Sequence, residues 1–133
     1  MKKNLIIFLP VAAFFLMLTA FQTATDKVAS PNITGDEFSI PEDVSAIFDK
    51  SCFGCHNSES QAEKAIKKLV IDQMGELSKA KLVAKLGEIG DVVEKNEMPP
   101  EKFLQKYPDK ALTSDEAKRL KEWTDSAANE LLK

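Results

Sequence analysis

Two cysteines and the chain's single histidine fall within five residues, as Cys52-Phe53-Gly54-Cys55-His56. Four chemistries use such a group: a structural disulfide, a zinc site, a dithiol redox pair and covalent haem attachment. Thiols three residues apart on a helix close a tiny loop, so a disulfide there stabilises little. A zinc site takes four ligands, and the chain offers two Cys and one His with no second pair. A thioredoxin-like pair follows a strand in a βαβ unit, whereas the segment before Cys52 has helical periodicity. The C-x-x-C-H order is the pattern of c-type haem attachment, and its spacing has a mechanical reason. Residues i and i+3 of a helical turn share a face, so both thiols reach the two vinyl groups of one porphyrin. His56, four residues after Cys52, projects its imidazole at the iron from the same turn. Gly54 keeps the strip between the thiols thin where the porphyrin edge would lie.

Haem iron takes a second axial ligand, and no other histidine exists to supply it. Beyond the N-terminal hydrophobic segment the methionines are Met74 and Met98. Met98 stands in Asn96-Glu97-Met98-Pro99-Pro100, just past an expected helix end. The two prolines restrict the backbone, so a thioether held there is partly ordered before it meets iron. Met74 falls in a less rigid turn and reads as core filler. Met98 is therefore the expected distal ligand, with Met74 or an open position as the alternatives.

These side chains need elements to hold them, and the periodicity predicts helices only. Ser39-Ile40-Pro41-Glu42 reads as a helix start, followed by a stripe of Val44, Ile47 and Phe48 that leads into Ser51 and Cys52. A second helical stretch is expected over 60–70, with Ala62, Ala65, Ile66, Leu69 and Val70 on one side. After a break around Asp72-Gln73-Met74-Gly75, a third covers 78–94 with Leu82, Leu86, Ile89 and Val93 at helical spacing. Pro99, Pro100 and Pro108 prevent residues 95–112 from being helical throughout. Thr113-Ser114-Asp115-Glu116 is a capping box that opens a last helix, whose stripe is Ala117, Leu120, Thr124, Ala127 and Leu131 with Trp123 beside it. No segment alternates like a strand, so the fold class is all-α.

The 133 residues are 44% hydrophobic and 29% charged, an ordinary globular balance. Residues 1–24 read as a signal peptide: Lys2 and Lys3, a nearly continuous apolar run over 5–21, then small-residue cleavage points after Ala20 or Ala24. Retention as an uncleaved anchor is the alternative, since the run sits at the short limit for a span. Residues 25–38 read as a tether and 39–133 as the haem-binding domain. Without Lys2 and Lys3, the chain carries 16 basic against 21 acidic residues, a net of −5 that disfavours tracking of nucleic-acid phosphates.

The chain resembles the small single-haem c-type cytochromes, and within them the haem-binding domain proteins. The resemblance rests on Cys52-Phe53-Gly54-Cys55-His56-Asn57, on Glu97-Met98-Pro99-Pro100, and on Ala111-Leu112-Thr113-Ser114-Asp115-Glu116 leading to Leu120 and Trp123. It covers roughly residues 40–132. It implies a cytochrome-c-like helical domain around one haem c, attached through Cys52 and Cys55, with His56 and Met98 as iron ligands. One departure is the polar Asn57-Ser58-Glu59-Ser60-Gln61, where such proteins often carry an aromatic-rich stretch.

The expected function is that of an exported electron carrier and not an enzyme, since imidazole and thioether together leave no open iron position. The alternative is a haem-based sensor or accessory module with a displaceable distal Met98. The expected location is periplasmic or otherwise extracytoplasmic, with inner-membrane attachment if the N-terminal segment is retained. The expected partner is a redox protein, a membrane oxidoreductase among the options, and the expected state is monomeric. Trp123 and Tyr107 are both expected in the core, with a contact from the polar tip to a haem propionate as the other use of each. Gly87 and Gly90 allow close approach of a helix or a porphyrin, or are simply tolerated. Lys67, Lys68, Lys79, Lys81 and Lys85 read as solvated faces, with docking of an acidic partner as the other use.

Overall fold

In the computed structural model the described residues are 38–133, and among them there are five α-helices and no strand. The segment read as a signal peptide, and all of the tether except Phe38, lie outside the described residues. Among the described residues, no helix is long and apolar enough to cross a membrane.

Helix α1 (Glu42–Ser51) buries Val44, Ile47 and Phe48, the stripe its periodicity marks. It starts later than the Ser39 signal suggests. Pro41 occupies the N-cap position and has no side chain to cap with, and its carbonyl accepts the Ser45 N–H at 2.8 Å. Phe38, assigned to the tether, instead packs on Trp123 with ring centroids 6.2 Å apart.

The longest pair, α3 (Lys79–Glu94) and α5 (Ser114–Leu131), forms the main helix–helix contact. Leu82, Leu86, Ile89 and Val93 from α3 meet Leu120, Trp123, Thr124 and Ala127 from α5, all buried. The capping box is formed as the motif predicts: Thr113 Oγ1 accepts the Glu116 N–H at 3.2 Å, and Glu116 Oε2 accepts the Thr113 N–H at 2.7 Å. The same Glu116 oxygen takes Lys50 Nζ at 2.5 Å, tying the last turn of α1 to the first turn of α5. That joins a cation to a helix C-terminus and an anion to a helix N-terminus. Lys50 foremost, and then the Thr113 amide, hold the Glu116 carboxyl below its usual value.

The expected helix over 60–70 shrinks to one turn, α2 (Glu63–Ile66), which buries no residue. Val70 is extended, and a 3-10 segment (Ile71–Glu76) follows that buries Ile71 and Met74. The apolar residues at 62–70 show helical spacing, yet Leu69's carbonyl and Ile71's N–H are drawn to His56 instead of the helix ladder. Tertiary bonding overrides the local propensity. Between Pro100 and Pro108, α4 (Glu101–Leu104) is one turn, and a 3-10 turn (Pro108–Lys110) packs on it.

Two glycines of α3 separate by role. A Cβ on Gly90 would stand 2.9 Å from Thr124 Oγ1 and 3.1 Å from Lys121 Cδ, whereas a Cβ on Gly87 would meet nothing within 4 Å. Thr124 cannot easily move aside, because it is buried and its hydroxyl donates to the Lys121 carbonyl at 2.9 Å. Gly90 is thus the close-approach point of α3 on α5. Gly90→Ala is expected to cost about 1–2 kcal/mol net, overpacking outweighing the gain in helix propensity. Gly87→Ala should gain roughly 0.5–1 kcal/mol. Urea unfolding would move the two midpoints in opposite directions, and a gain for both would show that α3 shifts freely against α5.

Candidate functional site

Helix α1 ends at Ser51, and Cys52 turns away with φ −124° and ψ −44°. The five-residue group therefore sits on a turn of its own just beyond the helix. Phe48's carbonyl accepts the N–H groups of both Cys52 and Phe53 at 2.8 Å. Cys52's carbonyl in turn accepts those of Cys55 and His56, each at 3.1 Å. One hydrogen-bonded turn thus carries Cys52, Cys55 and His56 together, as their spacing predicts. Gly54, at its exposed tip, has no protein atom within 4 Å of where a Cβ would lie. Asn57 ties the turn off by donating its side-chain amide to the Phe53 carbonyl.

Both cysteines are free thiols and half-buried. Burial, and secondarily the neighbouring Cys55, pushes the Cys52 thiol up to about 11. A dithiol redox pair needs the opposite, a thiol lowered toward neutral pH so that thiolate is available to attack. Among the described residues, no group of three or more His, Cys, Asp or Glu side chains is arranged to hold a metal ion.

His56 is held at two points from the segment after α2. Its Nδ1 is 3.2 Å from the Leu69 carbonyl oxygen, and its own carbonyl accepts the Ile71 N–H at 2.9 Å. A carbonyl only accepts, so Nδ1 must carry the proton in this bond. In the neutral ring, Nε2 is then the nitrogen that carries the lone pair a metal can take. That is how a neutral imidazole is oriented for ligation, with the second nitrogen hydrogen-bonded to protein.

Met98 follows the end of α3. The end of α3 explains its placement: Asn96 adopts φ 54°, its N–H bonds the Val93 carbonyl at 3.0 Å, and Glu97 N–H bonds the Val92 carbonyl at 2.8 Å. This is the Schellman arrangement, with asparagine in the left-handed position that glycine or asparagine tolerates best. The chain leaves it directly into Met98, and Pro99 is buried behind. The two methionines differ as expected. Met74 is fully buried in the core, whereas Met98 is 38% exposed and unspent on packing.

Trp123 is a core residue, 1% exposed, with its ring edge-on to Phe48 at 5.7 Å. Tyr107, expected in the core like Trp123, is instead exposed: it pairs with Phe103 at 5.0 Å, away from the main core cluster, and has Lys106 Nζ 5.3 Å from its ring centroid. Among the described residues, two buried side-chain polar atoms lack a protein partner: Trp123 Nε1 and Ser51 Oγ, the latter on the residue immediately before Cys52. Residue types alone pointed to neither the Leu69 carbonyl nor Ser58 and Asp72, which bond each other beside it. A backbone carbonyl carries no residue signature, and a contact across fourteen residues has no periodic signal.

The sequence profile of the haem-binding domain family matches residues 59–126. The chain belongs to that family. The match begins three residues after His56 and takes in Met98, the capping box and Trp123. Comparison with curated proteins and with solved structures returned no match. This haem-binding domain protein therefore binds haem on an all-α scaffold. The donor set described above suits that group: two half-buried thiols and an oriented imidazole on one turn, with a thioether left outside the core.

Proposed function

We propose that this haem-binding protein is an exported one-electron carrier, with one haem c attached through Cys52 and Cys55 and with His56 and Met98 as iron ligands. The observation that carries the proposal is the His56 Nδ1 contact with the Leu69 carbonyl, because in the neutral ring it directs the lone pair to Nε2 on the turn that bears both thiols. Haem bound there supplies a ferric/ferrous couple. The protein's part is to supply ligands and exclude other chemistry. Imidazole from His56 and the soft thioether of Met98 would be the protein's two ligands to the iron, a pair that would favour the ferrous state and leave no place for a substrate. The proposal accordingly includes no catalytic activity. It places the domain outside the cytoplasm, with a redox protein as partner.

The exposure of Met98 favours a second reading, a haem-based sensor. A thioether at the surface, ahead of a one-turn helix, is more easily displaced than one locked in the core. Protein made with a c-type maturation system distinguishes these readings. The carrier reading expects pigment that stays with protein through acid–acetone extraction, a six-coordinate spectrum in both oxidation states, and no carbon monoxide binding by the reduced form. Rapid carbon monoxide binding would select the sensor, and pigment lost to the solvent would refute covalent attachment.

A further inference from the structure

The loop that follows His56 is closed at its neck by four hydrogen bonds between residues 56–58 and 69–72. Two involve His56 itself, through Nδ1 to Leu69 and through its carbonyl from Ile71. The other two run from Ser58 to one carboxylate: its N–H donates to Asp72 Oδ1 at 3.0 Å and its hydroxyl to Asp72 Oδ2. On one side the neck is anchored, because Ile71 is buried in the core. On the other side, residues 57–59 are polar, Ser58 and Glu59 are exposed, and α2 inside the loop contributes nothing buried. Beyond His56, the bonds that tie the outer segment back to the anchored one among the described residues are those of Ser58 to Asp72.

We propose that Asp72 is a positioning residue for the iron ligand His56, acting through Ser58 to hold the loop neck so that the Leu69 carbonyl stays on His56 Nδ1. The inference rests on the proposed haem ligation. Its physical basis is that the partner of a ligating histidine's second nitrogen sets both ring orientation and ligand basicity. A carboxylate can accept two bonds from one serine, and the Ser58 hydroxyl holds the Asp72 carboxyl below its ordinary value. Loss of the clamp lets residues 57–59 move outward and loosens the ring from Leu69. A less basic imidazole stabilises ferric iron less, so the midpoint potential should rise.

The test compares full-length holoprotein carrying Asp72→Ala, Asp72→Asn, Ser58→Ala and the double alanine change. Two quantities are read: the midpoint potential, and proton exchange at His56 Nδ1 by NMR of the diamagnetic reduced form. Asp72→Ala is expected to speed Nδ1–H exchange at least tenfold and to raise the potential. Ser58→Ala should act in the same direction, with the double variant no worse than Asp72→Ala, since both remove one interaction. Asp72→Asn should restore near-native values, because its amide oxygen accepts from the Ser58 N–H and its NH2 donates to the Ser58 hydroxyl. If the alanine variants lower the unfolding midpoint but leave exchange and potential unchanged, Asp72 is only structural and the proposal is overturned, with the carrier reading intact. If the unsubstituted protein holds no covalent haem, both fail together.

Discussion

Cys52→Ser combined with Cys55→Ser is expected to abolish covalent haem entirely, while each single change leaves one thioether at most. The turn that carries both thiols is built from backbone hydrogen bonds through the carbonyls of Phe48 and Cys52, so serine should leave its shape intact. The loss would therefore report bond chemistry and not misfolding. His56→Ala removes the only imidazole in the chain, so no second histidine can substitute and stable haem incorporation should fail. It also removes the Nδ1 bond to Leu69, but the Ile71 N–H to residue 56 carbonyl bond is backbone and should persist. Staining of denaturing gels for covalent haem measures the cysteine variants, and the pyridine haemochrome spectrum measures the number of thioethers. Normal, tightly held haem in the double serine variant would refute attachment at this turn.

Met98→Ala is expected to open the distal site without touching attachment. Haem should remain covalent, the ferric protein should become high-spin, and the reduced protein should bind carbon monoxide. The midpoint potential should fall, because losing a soft thioether to harder oxygen donors favours ferric iron. Stability of the polypeptide should change little, since Met98 is 38% exposed and contributes little to the core. Met74→Ala is the opposite case and the control. Met74 is fully buried, so truncation should cost roughly 2–5 kcal/mol, with ligation unchanged. If Met74→Ala alters the spectrum and Met98→Ala does not, the ligand assignment is reversed. If neither alters it, the distal ligand is not a methionine and the sensor reading gains.

Much of the scaffold was legible in the residues alone, because α1, α3 and α5 bury wide apolar stripes that repeat at the helical period. Leu82, Leu86, Ile89 and Val93 on α3 and Leu120, Thr124 and Ala127 on α5 are buried where their spacing put them. The Thr113 capping box was equally legible, since both of its bonds join residues three apart. The five-residue group could be read for the same reason: its turn closes within itself through the Cys52 carbonyl. Local bonds leave local signatures.

What only the tertiary structure decided are the contacts between distant segments. The apolar spacing over 60–70 pointed to a full helix, but His56 takes the Leu69 carbonyl and the Ile71 N–H, and a single turn remains. Neither group has a side-chain signature, so no pattern of residue types could reveal the competition. Gly87 and Gly90 looked alike in sequence, and only the crossing of α5 over α3 distinguishes the crowded position from the open one. The Lys50 link to Glu116 and the Ser58 link to Asp72 likewise depend on which surfaces the fold brings together. Chain periodicity determines which face of each helix is apolar; packing alone determines what meets at the neck of the loop after His56.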